Sequence, residues 1–101
     1  MAYNVLISES ADHDLGEIVD YIAGKLANLP AASRFLDRVE ECYKRLERNP
    51  MLYAVTTHPM FGALGIRKAP VGGYCVYYTV EGNEVRVVRI LSELESTEGK
   101  L

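Results

Sequence analysis

The chain lacks most of what membranes, metal centres and oxidising compartments demand. Its apolar runs, such as residues 5–7 and 76–78, fall far short of the roughly 18 residues a membrane span needs. Residues 1–10 carry no basic stretch followed by an apolar core, so no signal peptide is read there and a cytoplasmic protein is expected. There are only two cysteines, Cys42 and Cys75, on segments that read as a helix and a central strand. They suit small buried apolar residues of a reducing compartment. The chain has no glycine-rich phosphate loop, no CxxC and no HExxH, and its two histidines, His13 and His58, lie 45 positions apart. No metal site and no cofactor are expected. No serine, histidine and aspartate stand in an order that reads as a triad. Positive charge is short as well: 11 bases face 14 acids, for a net charge of −3. Taken whole, that is not the balance of a nucleic-acid binder.

What remains is an ordinary globular composition. The 101 residues are 49% hydrophobic and 25% charged, enough for one domain. A chain this size buries about 60–65% of its unfolded surface, which leaves little core to spare. Charge is unevenly spread: residues 1–29 carry a net −4 and residues 92–101 a net −2, whereas 30–50 and 51–91 carry +1 and +2. An acidic first helix and an acidic tail therefore flank a mildly basic middle.

Residues 3–7 read as a strand. Ser10 then stands as an N-cap before a helix whose apolar stripe is Ala11, Leu15, Ile18, Val19, Ile22 and Leu26. Asp12 and Asp14 are placed in its first turn, where the dipole favours acids, and Asn28 closes it. Pro30 opens a second helix with Ala32, Phe35, Leu36, Val39, Cys42, Tyr43 and Leu46 on one face. Glu40 with Lys44 and Glu41 with Arg45 form i,i+4 pairs on the other, and Asn49-Pro50 stops the helix. So short a connection makes the two helices an antiparallel hairpin. Residues 51–65 read as a long loop with room for one helical turn. Three strands follow, over 65–69, 74–80 and 84–91, with Gly72-Gly73 and Glu81-Gly82-Asn83 at the turns.

The expected fold is α+β: an N-terminal strand, an antiparallel helix hairpin and a three-stranded antiparallel meander in one small sheet. Residues 1–91 form the domain and 92–101 an acidic tail expected to be flexible. Strand 74–80 puts Tyr74, Val76, Tyr78 and Val80 on one side and Cys75, Tyr77 and Thr79 on the other. Two helices cover only one of these faces, so the second is expected to be an open aromatic floor for a partner. Alternation sets Arg89 with Val85, Val87 and Leu91, opposite Arg86, Val88 and Ile90. An arginine so placed needs solvent, a ligand or a carboxylate, and a helix-one acid such as Asp20 is the structural candidate. Arg67 is open to either a structural or a phosphate-binding role.

The opening residues Tyr3, Asn4, Val5, Leu6, Ile7 and Ser8, then Ala11, Asp14, Leu15, Ile18 and Asp20 to Ala23, are similar to the start of RelE/ParE-superfamily toxins. The order continues with Ala32, Arg34, Phe35 and Leu36, then Leu46 and Asn49-Pro50. It ends with Gly65, Ile66 and Arg67, the tyrosine strand from Tyr74, and the strand Val85 to Leu91. The resemblance spans about residues 3–91. It implies the toxin of a type II toxin–antitoxin (plasmid stabilisation) module, bacterial, growth-inhibiting and neutralised by a cognate antitoxin. Partner contacts are expected at Tyr74, Tyr78, Arg89 and Arg67, with no membrane role and with a homodimer or an antitoxin hetero-oligomer as the assembly. ParE-like members bind DNA gyrase, whereas RelE-like members cleave messenger RNA on the ribosome. Cleavage needs a base, an acid and positive charge on the phosphorane, and here a thin set is on offer: Arg67, His58 and Lys68, with Tyr74 as a further candidate. After Leu91, where many relatives carry histidine and bases, this chain has Ser92, Glu93, Leu94 and Glu95. That departure favours the gyrase-binding branch over a ribonuclease or a degenerate toxin that keeps only antitoxin binding.

Overall fold

The computed structural model describes residues 2–93. Strand β1 (Asn4–Ile7) leads into helix α1 (Glu9–Asp20), which widens into a π turn over Tyr21–Lys25. Helix α2 (Leu29–Arg48), a 3-10 turn at Pro50–Leu52 and the one-turn helix α3 (Pro59–Ala63) follow. Strands β2 (Arg67–Val71), β3 (Tyr74–Glu81) and β4 (Glu84–Ser92) complete the fold. The sheet order is β1-β4-β3-β2. The last three strands form the expected antiparallel meander, while β1 runs parallel to β4 at the edge, Val5 beside Val85 and Ile7 beside Val87. The acidic tail lies, beyond Glu93, outside the described residues.

Local chemistry explains where the elements begin. Ser8, not Ser10, caps α1: its Oγ accepts from the Ala11 N–H at 3.0 Å and donates to the Val88 carbonyl at 3.0 Å. Moving the cap back two residues carries Asp14 out of the first turn and into the buried face. Asn28 caps α2 by accepting from the Ala31 N–H, and Ala27, at φ 50°, makes the left-handed turn between the helices. Gly72 and Gly73, at φ 51° and 87°, form the β2–β3 turn that residues with side chains adopt only at a cost.

The main core lies between the helix hairpin and the sheet. Ala11, Ile18, Phe35, Val39, Cys42 and Leu46 meet Ala69, Val76, Tyr78, Val85, Val87 and Ile90. The arrangement follows the predicted stripes, save that Leu26 and Leu36 stay largely exposed. Cys42 and Cys75 are free, buried thiols, and burial pushes the Cys42 thiol up to about 11.

Two expectations about the sheet are overturned. Tyr77 pairs with Arg89 and Tyr78 with Val87, which leaves Val88 as an extra residue, a β-bulge. The bulge resets the alternation, so Ile90 joins Val85 and Val87 on the helix side while Val88 and Leu91 turn to the other. Its unpaired carbonyl is the one Ser8 fills. The second face is not an open floor either. Phe61 of α3 stands edge-on to Tyr77, with ring centroids 5.5 Å apart, and Ile66, Cys75, Leu91 and Val88 close a second small core beneath it. The loop read as connecting chain is a lid of hydrophobic side chains, and Tyr77 is fully buried.

Candidate functional site

The residues expected to act together are kept apart. Along β2, Arg67 shares the parity of Ala69 and Val71, which pack on the helix side. Lys68 therefore faces the α3 side. Arg67 reaches the 3-10 region, where its NH1 donates to the Tyr53 carbonyl at 2.7 Å. That same Tyr53 receives a bond on its hydroxyl from Arg45 NH1 at 2.9 Å, so Arg45 turns to Tyr53 instead of forming the expected ion pair with Glu41. Lys68 pairs in register with Tyr77 on the strand beside it. His58 is the N-cap of α3: its Nδ1 accepts from the Phe61 N–H at 3.2 Å, and its ring tilts against Phe61 at 5.3 Å. A ring nitrogen engaged in capping is not free to act as the base for a 2′-hydroxyl.

Of the expected partner contacts, Tyr78 is withdrawn from the surface. It is fully buried on the helix side, and its hydroxyl donates to the Pro50 carbonyl at 2.6 Å. Burial pushes this phenol up to about 12, with nearby Arg67 working in the opposite direction. Arg89 makes the structural pair the sequence allowed, with Asp14 in place of Asp20. Its Nε and NH2 donate to the two Asp14 oxygens at 2.7 and 3.1 Å, and the Ile90 N–H donates to the same carboxylate at 3.0 Å. One helix-one acid thus ties α1 to β4 just past the bulge. Asp20 points outward, because its place on the helix is on the exposed side.

Tyr74, like Arg67 and Arg89, is partly exposed. Half-buried, its ring tilts against Phe35 at 5.1 Å, and it floors a groove of about 360 Å³ with Ile22, Leu26 and Phe35. Arg34 and Arg38 of α2 line the same groove at i,i+4 spacing. The groove continues past Gly72 toward Glu41 and Arg45, and on the other side toward Glu17 and Tyr21. Sequence reasoning missed this site. The signal was available, since Arg34, Arg38 and Arg45 fall on one helical stripe in a segment of net positive charge. Among the described residues no group of three or more His, Cys, Asp and Glu side chains is placed to hold a metal ion, and no helix is long and apolar enough to cross a membrane.

This fold, with a sheet packed under a helix hairpin and a parallel edge strand, is that of a toxin from a type II toxin–antitoxin system. The chain belongs to the ParE toxin family of the type II parDE systems, whose family model matches residues 5–96. Solved structures agree on the fold. A chain of the chromosomal ParDE system from P. aeruginosa superposes with a TM-score of 0.72 at 20% identity, over 90% of this chain and 96% of that one. A chain of the RelBE2 toxin–antitoxin complex from Mycobacterium tuberculosis gives 0.63 at 21% identity, over 92% and 100%. No curated protein sequence matches the chain.

Proposed function

We propose that this protein arrests growth by binding a protein target of the DNA gyrase type in the cytoplasm, and that a cognate antitoxin neutralises it. The observation that carries this reading is the dispersal of the basic and histidine groups a ribonuclease would use. Arg67 and Lys68 leave β2 on opposite faces, His58 spends its Nδ1 on the α3 cap, and Arg89 is clasped by Asp14. Phosphodiester cleavage needs base, acid and positive charge within hydrogen-bond reach of one another. Beyond Leu91 the chain offers Ser92 and Glu93, and an acid there repels phosphate. A binding toxin needs none of this chemistry, only a shaped surface.

Induced expression with transcript mapping tests the proposal. Intact messages during arrest, with DNA-damage signalling switched on and growth restored by the co-expressed antitoxin, are the expected result. Messages cut at ribosome-positioned sites would contradict it.

A further inference from the structure

We propose that the exposed apolar surface of residues 51–64, beside the Arg67 end of β2, is where this protein engages its protein target. The matching target surface is an apolar pocket rimmed by carboxylates. The inference rests on the proposed function in taking the target to be a protein.

Residues 49–66 hold no acidic or basic side chain, although 25% of the chain is charged. So apolar a stretch should bury itself, and in part it does: Pro50 is buried, and Phe61 and Ile66 close the second core over Tyr77. Its other large apolar side chains stay in solvent. Met51, Leu52, Val55, Met60 and Leu64 are all exposed, the last two at 64% and 67%. Single exposed apolar residues need no explanation, but a run of them on a small domain marks a contact site. The backbone keeps them together. The Thr56 N–H donates to the Ile66 carbonyl at 2.8 Å and the Lys68 N–H to the Ala54 carbonyl at 3.3 Å, so residues 54–56 lie along the start of β2. Helix α3 sits close on this segment: a Cβ added at Gly62 would stand 2.7 Å from the Thr56 carbonyl oxygen. Turning Phe61 inward leaves Met60 and Leu64, one helical turn apart, facing out. Methionine at positions 51 and 60 adapts its shape to a partner's contour. None of these five residues lines the Tyr74 groove.

Charge selects the occupant. Residues 42–68 carry five bases and one acid, Glu47, in a chain of net charge −3. Arg45 and Arg67 are engaged by Tyr53, whereas Lys44, Arg48 and Lys68 have no ion-pair partner among the described residues. Arg48 and Lys68 bracket the uncharged stretch. An apolar pocket with carboxylates at its rim answers both features. A second copy docked about a two-fold axis would set these cations against their own counterparts. A nucleic acid would leave Met60 and Leu64 against sugar and phosphate.

Purified gyrase passed over the immobilised protein is the probe, with growth arrest on induced expression read alongside. M60D/L64D should lose about tenfold or more in affinity, and its arrest with it. M60Q/L64Q removes the apolar contacts without adding acid and should lose less. R48Q/K68Q should bind more weakly and with a shallower salt dependence. Met60 and Leu64 are exposed, so circular dichroism and urea midpoints should show M60D/L64D folded. L52Q/V55Q tests the same surface away from α3 and should also weaken arrest. Undiminished arrest by M60D/L64D and L52Q/V55Q would overturn the proposal. So would a dimer in light scattering that M60D/L64D disperses, or messages cut by the wild type and spared by that variant, which would give the surface to the ribosome. Wild-type arrest without gyrase binding would count against gyrase as the target, and the arrest of the variants would still decide this surface.

Discussion

Removing the Asp14 carboxylate is expected to be the most damaging single change to a charged residue in this fold. Asp14 is 8% exposed and accepts three bonds, two from Arg89 and one from the Ile90 N–H. Asp14→Ala leaves a buried backbone N–H without an acceptor, at a cost of about 1–3 kcal/mol. It also strands the Arg89 guanidinium. Losing one member of a buried pair costs about 3–5 kcal/mol, but the Arg89 side chain is 38% exposed, so water recovers part of this. Taken together the loss should be about 3 kcal/mol, a large share of the 5–15 kcal/mol or so that holds a small domain. Asp14→Asn keeps an acceptor oxygen and should cost about half as much. Urea unfolding at neutral pH measures both: an unchanged slope with a midpoint lowered by roughly 2 M or more is the expected signature for alanine. A cycle with Arg89→Ala should show strong coupling, because the two groups share one interaction. A loss under about 1 kcal/mol, or simple additivity with Arg89→Ala, would refute the assignment of this pair as the bolt between α1 and β4.

Three other outcomes follow from the same structure. Ser8→Ala should cost about 1 kcal/mol by removing both the α1 cap and the donor to the Val88 carbonyl, whereas Ser10→Ala should be nearly silent, as urea midpoints will show. Gly72→Ala should destabilise by about 1–2 kcal/mol, because φ is +51° there and the new methyl group crowds Arg38. Burial holds Tyr43 and Tyr78 protonated up to about 12 and the Cys42 thiol up to about 11. The unfolded chain releases these protons nearer 9–10. Their contribution is therefore complete below pH 9 and is lost as pH rises toward 12, a decline that thermal melts across this range should follow and that Tyr78→Phe should reduce.

The helix hairpin and meander were legible because their signals are local. Apolar spacing on α1 and α2, the Pro50 stop and the paired glycines at the β2–β3 turn each act within a few residues. What stayed hidden depends on partners far along the chain. Ser8 outcompeted Ser10 as the cap because Val88, 80 positions away, offers an unpaired carbonyl. The bulge also exchanged the faces of Ile90 and Leu91 relative to Val85 and Val87, which a strict alternation rule does not anticipate. Phe61 looked like loop, yet it buries Tyr77. For the site, the sequence singled out Arg67, His58 and Lys68 by residue type, while strand parity and a cap bond, both geometric, keep them apart. Arg34 and Arg38 were not singled out as site residues, because only the fold brings Leu26 and Tyr74 beside them.

A supercoiling assay with purified protein, gyrase and relaxed plasmid tests the central claim most directly. The account predicts that the protein blocks supercoiling in proportion to its concentration and that antitoxin relieves the block. Supercoiling at full rate, with ribosome-bound message cut by the same preparation, would contradict it.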